Sequence, residues 1–158
     1  MDPIRSNRAG DEERLAIFEA YFEVFPWDDL PPNAKGFDLG CGSGRWAAQV
    51  VPRVGTLHCV DPSDAIDIAR KNLSDLDNVV FHRRTAAELP FEPESMDFGY
   101  CLGVLRHVEN TEQALRAAVR ALKPGALFLR PRWFRALCRV SDLARRVIAR
   151  QPGALRHL

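Results

Sequence analysis

The chain has no apolar run approaching the roughly 18 residues of a transmembrane helix. Its first residues, Met1-Asp2-Pro3-Ile4-Arg5-Ser6, lack the apolar stretch of a signal peptide. Its four cysteines (Cys41, Cys59, Cys101 and Cys138) form no C-x-x-C pair, which argues against a zinc site and fits free thiols. Together these absences predict a cytoplasmic protein with no metal. Neither an internal repeat nor a low-complexity segment is visible. What is present is ordinary for a soluble globular domain: 158 residues, 46% apolar and 27% charged. A single domain of this length buries about 68–70% of its unfolded surface. The net charge of +1 conceals a segregation, because eight arginines and one acid, Asp142, follow from Arg130 onward.

Against that background one segment stands out: Phe37-Asp38-Leu39-Gly40-Cys41-Gly42-Ser43-Gly44-Arg45-Trp46. Glycine at every second position lets the backbone take positive φ and approach a ligand with no Cβ in the way. Asp38, just before the loop, selects a ligand with positive charge or with hydroxyl or amine donors. Asp61 closes the next apolar run, Thr56-Leu57-His58-Cys59-Val60, where an acid can accept hydrogen bonds from a ribose diol. The pair describes a pocket for a nucleoside that carries a cation. Gly42-x-Gly44-x-x-Ala47 also satisfies the loose dinucleotide fingerprint, and so leaves a nicotinamide-dependent oxidoreductase open. Asp38 speaks against that reading, since a carboxylate beside the loop repels a pyrophosphate.

Hydrophobic periodicity supplies the frame. Residues 1–10 read as a flexible lead-in, and residues 11–25 as a helix with Leu15, Phe18, Phe22 and Phe25 on one face. Strands are expected over 36–39, 54–60, 79–82, 96–102 and 126–129. Helices are expected from Gly44 to about Val51, over 64–73 behind a Ser63 cap, and after Asn110 or Thr111. Lys123-Pro124-Gly125 stops the last of these. A final helix, about 133–149, follows with no further strand. The alternation predicts an α/β fold, a doubly wound, mostly parallel sheet of about five strands with helices on both faces.

The register Asp38-x-Gly40-x-Gly42-x-Gly44 resembles the first motif of class I S-adenosylmethionine-dependent methyltransferases. The resemblance continues through Leu89-Pro90-Phe91-Glu92-Pro93-Glu94-Ser95-Met96-Asp97-Phe98, Leu102-Gly103-Val104-Leu105-Arg106-His107-Val108 and Leu122-Lys123-Pro124-Gly125-Ala126. It covers about residues 35–130 and is greatest for the small-molecule subgroup that includes quinone-biosynthesis C-methyltransferases. It implies a Rossmann-like fold, S-adenosyl-L-methionine as cofactor and a small-molecule methyl acceptor. Cofactor-binding positions then fall on Asp38, Gly40, Cys41, Gly42 and Gly44, on Asp61, Pro62 and Ser63, on Thr85 and Ala86, and on Cys101 and Leu102. Thr85 stands where the family has an acid for the adenine amine, so the charge there is gone. Glu88 reads as a solvated loop acid.

Methyl transfer from a sulfonium needs alignment above all, and a base only where the acceptor must lose a proton. His107 is the candidate base, with packing against backbone as its plain alternative. Arg106 replaces the family's preceding histidine and could orient an anionic acceptor. The aromatic segment Phe18, Tyr21, Phe22, Phe25 and Trp27, within residues 11–27, is expected to serve partly as core and partly as a cover over the pocket. The sheet is expected to lack the family's sixth and seventh strands, which leaves the fifth-strand edge uncovered for a second copy or a partner. Residues 131–158 read as a basic amphipathic helix, docked on the sheet or, through 131–150, on a membrane surface. No aromatic-studded basic groove accompanies it, which speaks against nucleic acid. The rival to an enzyme is a cofactor-binding protein without turnover that acts through a partner or through this tail.

Overall fold

The structure is a computed structural model and describes residues 3–102, 108, 110–129 and 137–139. Helix α1 spans Pro3–Phe22 and a 3-10 turn Trp27–Asp29 follows it. Then come β1 (Lys35–Leu39), α2 (Ala47–Val50), β2 (Thr56–Val60), α3 (Ala65–Asn72), β3 (Val79–His82), β4 (Met96–Tyr100), α4 (Thr111–Ala121), β5 (Leu122–Leu129) and β6 (Leu137–Arg139). The sheet order is β3-β2-β1-β4-β5-β6, parallel throughout except for the antiparallel β5–β6 pair. The order reverses between β1 and β4, the place where open α/β sheets bind ligands at their carboxyl ends.

Strand alternation divides the core in two. Phe37 and Leu39 point to one face, with Val60, Phe91, Phe128 and the α4 residues Ala114, Leu115 and Ala118. Leu57, Cys59, Phe98 and Tyr100 point to the other, against Phe18, Phe22, Phe25, Ala47, Ile66 and Ala69. Two glycines let the central strands carry rings. A Cβ on Gly36 would lie 2.2 Å from the Phe98 ring, and one on Gly99 2.4 Å from the Phe37 ring. Gly36 pairs with Phe98 and Phe37 with Gly99 in the β1–β4 register, so each ring occupies the space its partner leaves.

Four expectations change. Helix α1 begins at Pro3, so the lead-in expected over 1–10 is helical from that residue; proline is favoured in a first helical turn, where its missing N–H goes unused. Strand β5 starts at Leu122, directly after α4, and the Lys123-Pro124-Gly125 stop forms a bulge within it. Between the pairs Met96–Leu122 and Phe98–Leu127 the strand carries the extra residues, with Gly125 at φ +78°. The helix expected over 133–149 is interrupted by β6, which pairs Leu127–Arg139, Phe128–Cys138 and Leu129–Leu137. The fifth-strand edge, expected to be uncovered, is therefore covered along Leu127, Phe128 and Leu129. The rest of the basic tail, 130–136 and 140–158, lies outside the described residues.

The aromatic helix is core. Phe18, Phe22 and Phe25 are buried. Phe22 meets Tyr100 edge-on at 5.3 Å, and the Arg53 guanidinium lies over both Phe18 and Trp27 at 5.3 and 5.2 Å. Tyr21 reaches the glycine loop's end, edge-on to Trp46 at 5.5 Å.

Candidate functional site

The chain leaves β1 into the glycine loop because Gly40, Gly42 and Gly44 all take positive φ: +77°, +53° and +81°. At Gly44 a Cβ would come within 2.9 Å of Leu73 Cδ1, so that glycine lets α3 pack close. At Gly42 a Cβ would meet nothing within 4 Å. That side of the loop is open.

Asp61 builds the loop as well as facing the cleft. Its Oδ2 accepts from Gly42 N at 2.9 Å, and its Oδ1 accepts from Ser63 N at 2.9 Å and Ser63 Oγ at 2.6 Å. Oδ2 has a lone pair to spare for a ligand hydroxyl. Three more amides of the loop are also engaged. Gly40 N and Cys41 N donate to Val60 O at 2.7 and 3.2 Å, and Gly44 N donates to Cys41 O at 2.9 Å. The amides of Gly40, Cys41, Gly42 and Gly44 are thus satisfied internally and are not free to cradle a pyrophosphate, which speaks against the dinucleotide reading.

Asp38 is the opposite case. It is 1% exposed, and its Oδ2 has no partner. Burial, reinforced by the Asp61 charge, raises its pKa to about 7, against a smaller lowering by the Tyr100 hydroxyl. The hydroxyl does not complete a hydrogen bond, and Tyr100 Oη is likewise without a partner. A buried carboxyl held in this way suits a cationic ligand, which would return the charge balance and fill the open valence. Beside it the Cys59 thiol is pushed up in pKa by its hydrogen bond with Cys41 and by burial.

A cleft of about 410 Å³ opens at the carboxyl ends of β1 and β2. Of the sequence-predicted residues it gathers Gly40, Asp61, Pro62, Thr85 and Ala86. Ser63 acts through Asp61 instead of lining it. Cys101 is fully buried, its N–H donating to Leu129 O at 2.9 Å, and neither it nor Leu102 lines the cleft. Arg106 and His107 lie outside the described residues. The cleft also has residues that the sequence reading passed over: Arg84, Asn110 and Gln113. Asn110 was legible as a cap, and it is one, its Oδ1 accepting from Gln113 N at 2.9 Å. Thr85 Oγ1 donates to Glu88 Oε2 at 3.1 Å, so an acid stands one contact behind the threonine. Among the described residues no cluster of three metal-ligating side chains occurs, and no helix is long and apolar enough to cross a membrane.

A doubly wound sheet with this glycine loop and acids at the carboxyl ends of the neighbouring strands β1 and β2 is a Rossmann-like domain. Comparison with known proteins carries the assignment further. The family model described as a methyltransferase domain matches residues 37–129, more than half of the chain, and the chain belongs to that family. The ubiquinone biosynthesis O-methyltransferase of Pseudomonas fluorescens is 34% identical over 124 residues, covering 72% of this chain and 53% of the relative. This chain thus spans about half the length of that curated relative. The solved YcgJ protein of Bacillus subtilis superposes with a TM-score of 0.64 at 24% identity, covering 76% of this chain and 50% of that one, and shares the fold. A phosphoethanolamine N-methyltransferase of Haemonchus contortus, solved with phosphomonomethylethanolamine and S-adenosylhomocysteine, superposes at 0.62 with 27% identity. It covers 75% of this chain and 27% of its own.

Proposed function

We propose that this domain binds S-adenosylmethionine and serves a methyltransferase acting on a small molecule. The observation that carries the reading is the pairing of a pinned acid with an unmet one around an open glycine. Asp61, with a free lone pair at Oδ2, suits the ribose hydroxyls. Asp38, buried and without a partner, suits the α-ammonium, directly or through a water. Thr85 and Ala86 line the cleft where the adenine would sit, and the open side of Gly42 leaves room for the ligand beside the loop.

The bound cofactor supplies a methyl group already activated by a sulfonium. The protein's share is to fix the geometry and keep the reacting centre dry. Asp61 does this through the three hydrogen bonds that hold the loop and Ser63 in place. His107 is the proposed base for an acceptor that must lose a proton, and Arg106 the proposed anchor for an anionic one. The likeness to a ubiquinone-biosynthesis enzyme supports a phenolic or quinone-ring acceptor.

Calorimetric titration with S-adenosylmethionine and S-adenosylhomocysteine, beside Asp61→Ala, tests the proposal. Saturable one-to-one binding that the variant loses is the expected result. Absence of binding by the unaltered chain, or equal binding by the variant, would refute it.

A further inference from the structure

Strands β1 and β4 pair in parallel with Asp38 directly opposite Tyr100. Both side chains are buried on the face covered by α1, where Phe22 closes over the Tyr100 ring. Asp38 Oδ2 and Tyr100 Oη are the two buried side-chain polar atoms without a partner among the described residues. Packing does not require that hydroxyl. The neighbouring Phe98 fills the same layer with a plain ring, and a phenylalanine at 100 would bury no orphan oxygen.

We propose that Tyr100 is a positioning residue for the cofactor's ammonium group, its hydroxyl donating to the Asp38 carboxylate once the cation is in place. The inference rests on the cofactor reading above and specifies how that site is controlled. The groups that face the pair are Asp61, Cys59 and Cys41, none of which is a cation. No described residue therefore supplies the counter-charge, and on this proposal the ligand's ammonium does. In the empty site the carboxyl holds its proton up to about pH 7. Arrival of the ammonium sends that proton to the solvent, and the Tyr100 hydroxyl then stabilises the carboxylate that remains. Recognition of the amino-acid end becomes proton-linked, whereas recognition of the nucleoside end through Asp61 does not.

The test compares S-adenosylhomocysteine with 5′-methylthioadenosine, which has the nucleoside but lacks the amino-acid group. For the unaltered protein, affinity for S-adenosylhomocysteine should rise about tenfold per pH unit up to a break near 7 and then level. Tyr100→Phe should move that break upward and weaken binding at pH 7 about three- to tenfold. Affinity for 5′-methylthioadenosine should not change, and the melting temperature should be equal or higher. Asp38→Asn, as a second variant, should abolish the break and most of the S-adenosylhomocysteine affinity but keep the methylthioadenosine. An unmoved break in a Tyr100→Phe protein that binds both ligands, or an equal loss of both, overturns the role of Tyr100 alone. Binding of neither ligand by the unaltered protein overturns the cofactor reading and this inference with it.

Discussion

Asp38→Asn should stabilise the empty protein at neutral and alkaline pH. The side chain is 1% exposed and titrates near 7 in place of 3.8. Each pH unit of that displacement is worth about 1.4 kcal/mol. Keeping the group folded at pH 7 or above therefore costs about 4 kcal/mol relative to an unfolded chain that ionises freely. The folded pKa is raised, so this stability is fully present below about pH 4, declines as pH rises, and levels once the folded value near 7 is passed. Asparagine has almost the same shape and no proton to lose, but its unpaired amide retains a burial cost of about 1–3 kcal/mol. The net gain at pH 8 is about 1–3 kcal/mol, or roughly 3–10 °C in melting temperature for a chain of this size. Urea denaturation of ligand-free protein at pH 4.5, 6 and 8 measures it, as the difference between variant and parent at each pH. That difference cancels contributions from other titrating groups. A variant less stable than the parent at pH 8, or a difference independent of pH, would show that the carboxylate is already satisfied in the empty site.

The remaining predictions concern the loop, the sheet and a histidine pair. Asp61→Asn keeps one acceptor oxygen where three hydrogen bonds converge, so at least one of Gly42 N–H and the Ser63 donors loses its partner. A loss of about 2–3 kcal/mol with faster amide exchange at Gly42 is expected, and unchanged exchange there would contradict it. Gly99→Ala drives a methyl within 2.4 Å of the Phe37 ring, and should cost more than about 3 kcal/mol; a fall of under about 3 °C in melting temperature would mean the ring can retreat. His58 and His82 lie across β2 and β3 with Nδ1 and Nε2 2.9 Å apart. Burial, with His82 second, holds the His58 pKa down to about 4, and burial lowers His82 as well. Both folded values are depressed, so their stability is present above about pH 6.5 and lost as pH falls toward 4. Screening at this half-exposed site limits the loss to about 1 kcal/mol. His58→Phe should flatten that acid limb in a denaturation series, and a limb of unchanged slope would place its origin elsewhere.

The parts legible in the sequence were those whose chemistry is local. Gly40, Gly42 and Gly44 announce their positive φ because few other residues take it, and Asp61 closes an apolar run whose end fixes its place on the sheet edge. Val79–His82 is bounded as expected because four apolar or aromatic-like residues sit between the polar pairs Asp77-Asn78 and Arg83-Arg84. What escaped depends on contacts distant in sequence. Residues 137–139 carry an arginine-spaced apolar pattern that fits a helix, and only pairing with Leu127, Phe128 and Leu129 makes them a strand. The polar start of α1 offers no apolar period to read. Tyr100 looks like one more core aromatic until the parallel register sets it opposite Asp38. Thr85 departs from the family's acid, and its bond to Glu88 cannot be inferred from spacing in an irregular loop.

The two acids beside the glycine loop divide one task between them, and the division explains why only one is strained. Asp61 accepts three hydrogen bonds before any ligand arrives, so its charge is already compensated and it can organise the loop. Asp38 is buried one strand away with an oxygen unmet, so its burial cost is held in the empty protein and relieved only by a cation. If both acids were compensated in advance, a ligand's ammonium would gain little over water at either. If both were unmet, two neighbouring like charges would destabilise the loop that must present them. On the proposed reading, the nucleoside end of the cofactor meets a site organised in advance, and the amino-acid end draws on the relief of a buried, unpaired carboxyl. A ligand with the nucleoside alone should therefore bind at a pH-independent level, and the margin gained by adding the ammonium should widen from acid to neutral pH.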